Sequence, residues 1–302
     1  PASFCSTVGY KPTYGLISRY GLISYANSIE QIGPLTRTVK DTAFMLNLIA
    51  GIDPNDSTTV NNNNEDYLAN IDSGIEGKKI GIITEMIGDG IDPEVMTATK
   101  EAISKLEGLG AICEEVSLEM VKYSVAAYYT ITATEAGSNL ARYDNLRYGY
   151  DLPVEGYEFN SYISKARKNF GPEVTRRMII GGFVPSAGHA GKYFLKAMKV
   201  KSKLTKEINE AFKKFDLLIA PTVPILPFKI GEKIDDPVSL FLVDINTVTA
   251  NLTGKPAISI PFKIVNGLPI GIQLMANSMN DKMLLQAAHA LEKTVTLPEV
   301  PI

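Results

Sequence analysis

A strand–helix–strand pattern between residues 78 and 118 most constrains what this chain can fold into. The apolar segment 79–84 predicts a short strand, a helical pattern begins at 92–94 (Asp-Pro-Glu), and 111–118 predicts a second strand. Proline in the first turn and acidic residues near the positive end of the helix dipole favour that helix start. Because strand–helix–strand crossovers of this kind pair their strands in parallel and are nearly always right-handed, the segment predicts two parallel strands.

A second pattern adds antiparallel strands. Two apolar runs, 257–261 and 270–275, flank Asn266-Gly267, a dipeptide that strongly favours a tight hairpin turn. A buried-type strand at 215–220 comes before Pro221. Helical patterns lie around and between these strands, at 41–51, 119–150, 192–214, 240–252 and 281–293. The alternation predicts one α/β domain with a mixed β-sheet flanked by helices.

Composition excludes several classes of function. The chain has 302 residues and a net charge of −3, which argues against a nucleic-acid surface, because phosphate binding needs clustered Lys and Arg. Its two cysteines, Cys5 and Cys113, cannot make a disulfide framework. Its two histidines, His189 and His289, have no Cys or His at metal-ligand spacing, so we expect no metal site. No apolar run approaches the ~20 residues of a membrane span, and a cytoplasmic protein is the default expectation.

The first 41 residues are dense in Gly, Ser, Thr and Pro. Composition alone predicts a loop-rich rim of a globular domain, with glycines where the backbone needs a positive φ or a close approach. The order of the residues is more specific. The strings PASFC, VGYKPTYG, SRYG and QIGP resemble the amidase signature family, and most closely its glutaminase branch, the A subunits of tRNA-dependent amidotransferases.

The resemblance also implies what lies outside this sequence. In the family, a Gly/Ser-rich segment with the nucleophilic serine runs directly into the part matched by Pro1-Ala2. A second serine, joined through a cis peptide, and a catalytic lysine lie further upstream. The resemblance therefore implies that 1–302 is the C-terminal portion of one amidase-signature domain without its N-terminal part. It assigns no catalytic residue to this chain, which we expect to be inactive by itself.

Three further strings resemble the same subunits and suggest a substrate pocket. They are AYY at 127–129, EV-x-RR at 173–177, and a long match that begins at Asp244. The resemblance implies that Arg177 binds the α-carboxylate of glutamine, that Asp244 receives its α-ammonium group, and that Tyr128 lines the pocket. A guanidinium fork suits a carboxylate, and a carboxylate suits an ammonium group.

Each of these residues has a simpler interpretation. Arg176 and Arg177 could both be solvated surface arginines, although neighbouring helix positions do not share a face. Asp244 could be a surface or capping aspartate, and Tyr128 a core tyrosine with its hydroxyl hydrogen-bonded. Without the resemblance, the simpler interpretation is favoured for the arginines and the aspartate and is equally good for the tyrosine.

As a function, the resemblance implies a glutaminase subunit that supplies ammonia to convert Glu-tRNA(Gln) to Gln-tRNA(Gln), or Asp-tRNA(Asn) to Asn-tRNA(Asn). It implies B and C partner subunits, with tRNA bound only through the partner and no membrane contact. The chain itself needs no cofactor, and ATP and Mg²⁺ are expected on the partner subunit. Two alternatives remain: a free-standing amidase of the same family, or a non-catalytic fragment that binds a partner.

Overall fold

The computed structural model describes residues 1–88, 90–149, 156–232, 240 and 243–297. Within them, one mixed sheet of seven strands has the spatial order β2-β1-β6-β7-β5-β3-β4. Strand β3 pairs in parallel with β4 and β5, and the other neighbours are antiparallel. The strands are β1 Val8–Lys11, β2 Leu35–Thr36, β3 Lys79–Ile83, β4 Ile112–Val116, β5 Leu217–Pro221, β6 Ala257–Val265 and β7 Leu268–Ala276. The predicted mixed α/β fold is confirmed.

Eight α-helices lie in the described part of the chain. They are α1 Val39–Ile49, α2 Pro93–Gly108, α3 Ser124–Leu140, α4 Phe159–Arg167, α5 Pro172–Phe183, α6 Phe194–Ala211, α7 Val248–Thr253 and α8 Asp281–Glu292. The chain divides into two compact units. The larger comprises 1–21, 31–125 and 202–302, and the smaller comprises 22–30 and 126–201. The sheet belongs to the larger unit. That both units are parts of a single domain stays a prediction.

Local sequence explains the elements that were predicted. The crossover α2 begins at Pro93, and Ile80 of β3 pairs in parallel with Cys113 of β4. At the β6–β7 turn, Asn266 has a φ of 52° and Gly267 a φ of 78°, the left-handed pair that a two-residue hairpin turn requires. These elements form where they are expected because their signals lie within a few residues of one another.

Two details near the start of the chain differ from the expectation. The segment Val8–Lys11 was predicted as part of a loop-rich rim, but it is a strand inside the sheet, paired with both β2 and β6. Its partners in β6 lie far away in sequence, and a Gly-containing strand of four residues has too short a pattern to detect. Helix α1 is capped by Thr38, and Asp41, the expected cap, completes a capping box at the third position.

The two faces of the sheet differ in chemistry. Ile270, Ile272 and Leu274 of β7 point into the main apolar core, which α1, α2 and α8 complete. Because side chains alternate along a strand, Gly271 and Gln273 lie on the opposite face. That second face carries the buried polar groups described below.

Candidate functional site

Arg177 lies on the side of α5 that packs against α3. It shares a helix face with Gly181, four residues later. A Cβ on Gly181 would lie 2.1 Å from the carbonyl oxygen of Ala133 and 2.9 Å from the Cα of Gly137. The two helix backbones are therefore in direct contact at this point, which only glycine permits. Arg177 consequently leaves α5 near that contact and keeps 30% of its side chain exposed.

Two groups orient the Arg177 guanidinium. Its Nε donates to Oε1 of Glu173 at 2.6 Å, and its Nη1 donates to the Tyr25 hydroxyl at 2.5 Å. The guanidinium carbon also lies 5.5 Å from the centroid of the Tyr25 ring, within cation–π range. Neither hydrogen bond uses Nη2, whose N–H groups are therefore donors for a carboxylate ligand.

Tyr25 is itself held in place by polar contacts within the smaller unit. The backbone N–H groups of Tyr25 and Ala26 donate to Oε2 of Glu30 at 2.9 and 3.1 Å. Asn139 on α3 donates from Nδ2 to the Tyr25 carbonyl at 3.0 Å and to Oδ1 of Asn27 at 2.9 Å. The segment that carries Tyr25 is therefore fixed on the same helix that α5 packs against.

Arg176 leaves α5 on a different side. It is exposed and lines a shallow pocket of about 450 Å³ together with Phe170, Pro172, Thr175, Ile179 and Ile180. The different directions of Arg176 and Arg177 follow from the helical period. The sequence analysis missed that Glu173 forms an ion pair with both arginines, although its position four residues before Arg177 is a visible signal.

Tyr128 belongs to the same unit as Arg177. It lies on α3, half-buried, with its ring edge-to-face on Tyr129 at 5.2 Å between centroids. Its role as a pocket residue stays a prediction.

Asp244 lies in the larger unit, in the turn that leads into α7. The helix predicted for 240–252 begins only at Val248, and 241–242 lie outside the described residues. The Asp244 carbonyl accepts the N–H groups of Thr247 and Val248 at 3.0 and 3.1 Å, so this turn forms the entry to the helix. The side chain of Asp244 is half-buried. Arg177 and Asp244 thus occupy different units, and their binding to one substrate stays a prediction.

Buried amides hold the turn of Asp244 against the sheet. Nε2 of Gln273 on β7 donates to the backbone carbonyl of Asn246 at 3.0 Å, and Nδ2 of Asn246 donates to the carbonyl of Pro221 at 2.9 Å. Both side chains are almost fully buried. The sequence analysis missed both residues. A single Gln inside the apolar string IGIQLMA was the available signal, because a buried amide requires a partner.

Hydroxyl groups line the same face of the sheet. Oγ of Ser3 accepts the N–H of Gly271 at 3.0 Å, and Thr222 and Ser259 share a hydroxyl–hydroxyl bond of 2.8 Å. Lys11 of β1 also alternates onto this face, and its Nζ donates to the Pro12 carbonyl at 2.6 Å. Burial lowers the pKa of the Lys11 ammonium group to about 7, although Asp281 opposes this shift.

Metal and membrane sites were also considered. Across the residues that the structure describes, no group of three or more His, Cys, Asp and Glu side chains is arranged to hold a metal ion. No described helix combines the length and apolar composition that crossing a membrane requires.

Comparison with known proteins supplies the context for this geometry. The family model described as Amidase matches residues 1–285. The chain is 65% identical over 301 residues to the A subunit of the glutamyl-tRNA(Gln) amidotransferase from Cenarchaeum symbiosum, covering 100% of this chain and 63% of that protein.

Solved structures agree with this. The crystal structure of the corresponding A subunit from Thermotoga maritima is 42% identical, with a TM-score of 0.80 over 99% of this chain and 60% of that one. A 6-aminohexanoate cyclic dimer hydrolase is 25% identical, with a TM-score of 0.79 over 98% of this chain and 62% of the other. The chain therefore spans about three fifths of the length of the relatives it matches.

Proposed function

This chain belongs to the amidase family, and on that premise we propose that it is part of the glutaminase subunit of a tRNA-dependent amidotransferase. The observation that carries the proposal is the presentation of Arg177. Its guanidinium is partly exposed, oriented by the Tyr25 hydroxyl, and retains donors at Nη2. A fork of this kind suits the carboxylate of an amino-acid substrate.

In this proposal Arg177 binds the α-carboxylate of glutamine, Asp244 receives the α-ammonium group, and Tyr128 lines the same pocket. A serine nucleophile, which the family carries in the segment before Pro1, attacks the side-chain amide carbon. The C–N bond breaks, the nitrogen takes a proton and leaves as ammonia, and water then releases glutamate from the acyl-serine. The residues of this chain bind and orient the substrate, so the chain alone is expected to have no turnover.

The ammonia is passed to a B subunit that activates the tRNA-linked acid with ATP and Mg²⁺, and a C subunit completes a cytoplasmic heterotrimer. The B subunit contacts the tRNA. The identity to the amidotransferase protein of Cenarchaeum symbiosum supports this assignment of partners.

Alanine substitutions in the complex expressed from full genes test the proposal. Loss of a charge-assisted hydrogen bond costs about 1.5–3 kcal/mol, so Arg177→Ala and Asp244→Ala should each lower kcat/KM for glutamine roughly ten- to a hundredfold. Arg177→Lys should restore little, because a point charge cannot reproduce the bidentate fork. Transfer from added ammonia should survive all three changes.

Arg176→Ala is the matched control, since this arginine shares Glu173 but leaves the helix on another side. Equal losses from Arg176→Ala and Arg177→Ala would contradict the assignment of the pocket, as would a parallel fall in ammonia-dependent transfer. Hydrolysis of simple amides without α-charges as fast as glutamine would support a free-standing amidase instead.

A further inference from the structure

Gln273 is an exception on its strand. β7 lies in the interior of the sheet, between β6 and β5, and Gln273 pairs across with Ser259 and Ala220. Only 5% of its surface is exposed. A buried primary amide is costly unless it is hydrogen-bonded, so the partner of this side chain shows what the residue does.

That partner is the turn of Asp244. Nε2 of Gln273 donates to the backbone carbonyl of Asn246 at 3.0 Å, and the residue carrying that carbonyl is 1% exposed. The bond therefore fixes the backbone two positions after Asp244, whatever the side chain at 246. Asn246 adds a second link, from its Nδ2 to the carbonyl at the end of β5.

The backbone of the turn is continuous with the start of α7. The carbonyl of Asp244 accepts the N–H and the Oγ1–H of Thr247, both at 3.0 Å. A shift of the Asn246 carbonyl would therefore move this hydrogen-bonded turn and the Cα of Asp244 together. Because both ends of the Gln273 bond are buried, water cannot easily replace it.

We propose that Gln273 is a positioning residue for substrate recognition: through the Asn246 carbonyl it sets the place of Asp244, and thereby the affinity for the α-ammonium group of the substrate. The inference rests on the proposed function, since it requires Asp244 to bind that ammonium group. Gln273 itself does not touch the substrate.

Gln273→Met tests this role in the full complex, because methionine keeps the length of glutamine and removes the donor. We expect kcat/KM for glutamine to fall about five- to twentyfold, as for loss of one buried hydrogen bond. The loss should lie mainly in KM, and ammonia-dependent transfer should be unchanged. Met275→Leu, a volume-conserving change on the same face of the same strand, is the control and should cost less than about twofold.

A double-mutant cycle separates positioning from general damage. In an Asp244→Ala background, Gln273→Met should reduce glutamine use less than about twofold, because the group that it positions is gone. The monoamide of glutaric acid, which lacks the ammonium group, should likewise be hydrolysed about equally with and without the substitution. Equal loss in both backgrounds, or equal loss with the monoamide, would overturn the inference.

The outcomes also separate this inference from the proposed function. If Asp244→Ala leaves glutamine use intact, the assignment of Asp244 fails, and the inference fails with it. If Asp244→Ala impairs glutamine use and Gln273→Met acts additively with it, only the inference fails. Thermal melting precedes the kinetics. Gln273→Asn, which keeps an amide too short to reach the carbonyl, replaces Gln273→Met if that variant does not fold, with the same expected results.

Discussion

The two units of this chain hold their charged candidates in different ways. In the larger unit, a continuous apolar core supports the sheet, and the turn of Asp244 is tied to that sheet by buried amides. In the smaller unit, Arg177 is oriented by a tyrosine hydroxyl and by the half-exposed carboxylate of Glu173. Buried bonds have no substitute in water, whereas exposed ion pairs contribute little. The comparison teaches that Asp244 is placed by the fold itself, while the direction of Arg177 depends on a few polar neighbours.

The largest expected effect would break this comparison by damaging the packing of the smaller unit. Gly181→Ala places a methyl group against the Ala133 carbonyl and the Gly137 backbone, which forces α5 away from α3 and should lower the free energy of unfolding by about 3 kcal/mol. Gly182→Ala is the control, because a Cβ there meets nothing within 4 Å, and alanine favours a helix by about 0.8 kcal/mol. Chemical denaturation measures both. Equal stability of the two variants would show that the close contact is unimportant.

A pH effect sharpens the comparison on the side of the larger unit. The pKa of Lys11 falls from its ordinary value of 10.5 to about 7 on folding, so the unfolded chain binds more protons between these values. Stability therefore rises with pH across that window. Lys11→Met should remove this slope and should raise the free energy of unfolding at pH 7 by about 2 kcal/mol, since the side chain keeps partial exposure.

The measurement is denaturant unfolding at several pH values from about 7 to 9.5, below the range where tyrosines titrate. The difference in stability between Lys11→Met and the unchanged protein should shrink as the pH rises. A difference that stays constant with pH would show that the ammonium group is not desolvated.

The smallest effect concerns the orientation of Arg177. Tyr25→Phe removes the hydroxyl that accepts from Nη1 and leaves the ring beneath the guanidinium. KM for glutamine should rise about three- to tenfold with little change in kcat, as for loss of one hydrogen bond to a charged group. Tyr20→Phe, at a tyrosine that is 70% exposed, should change neither. A loss of thermal stability in Tyr25→Phe without a change in KM would instead indicate a purely structural role.

Sequence alone determined the elements whose signals are local. The parallel pair β3–β4 follows from a strand, a helix and a strand within about 40 residues, a length typical of one such unit. The β6–β7 turn follows from Asn266-Gly267, whose positive φ values any fold must accommodate there. The different directions of Arg176 and Arg177 follow from the helical period of α5. In each case the physical cause acts between near neighbours along the chain.

Tertiary structure decided the contacts that join distant segments. Tyr10 of β1 pairs with Ile258 of β6, which turns a Gly-containing segment predicted as loop into an internal strand. Tyr25 reaches Arg177 across 152 positions, and Gln273 reaches the turn of Asp244 from the next strand pair. A single hydrogen bond between distant residues leaves no periodic pattern in the sequence. It forms only after the sheet and the helices have packed, because that packing sets which buried polar groups must find each other.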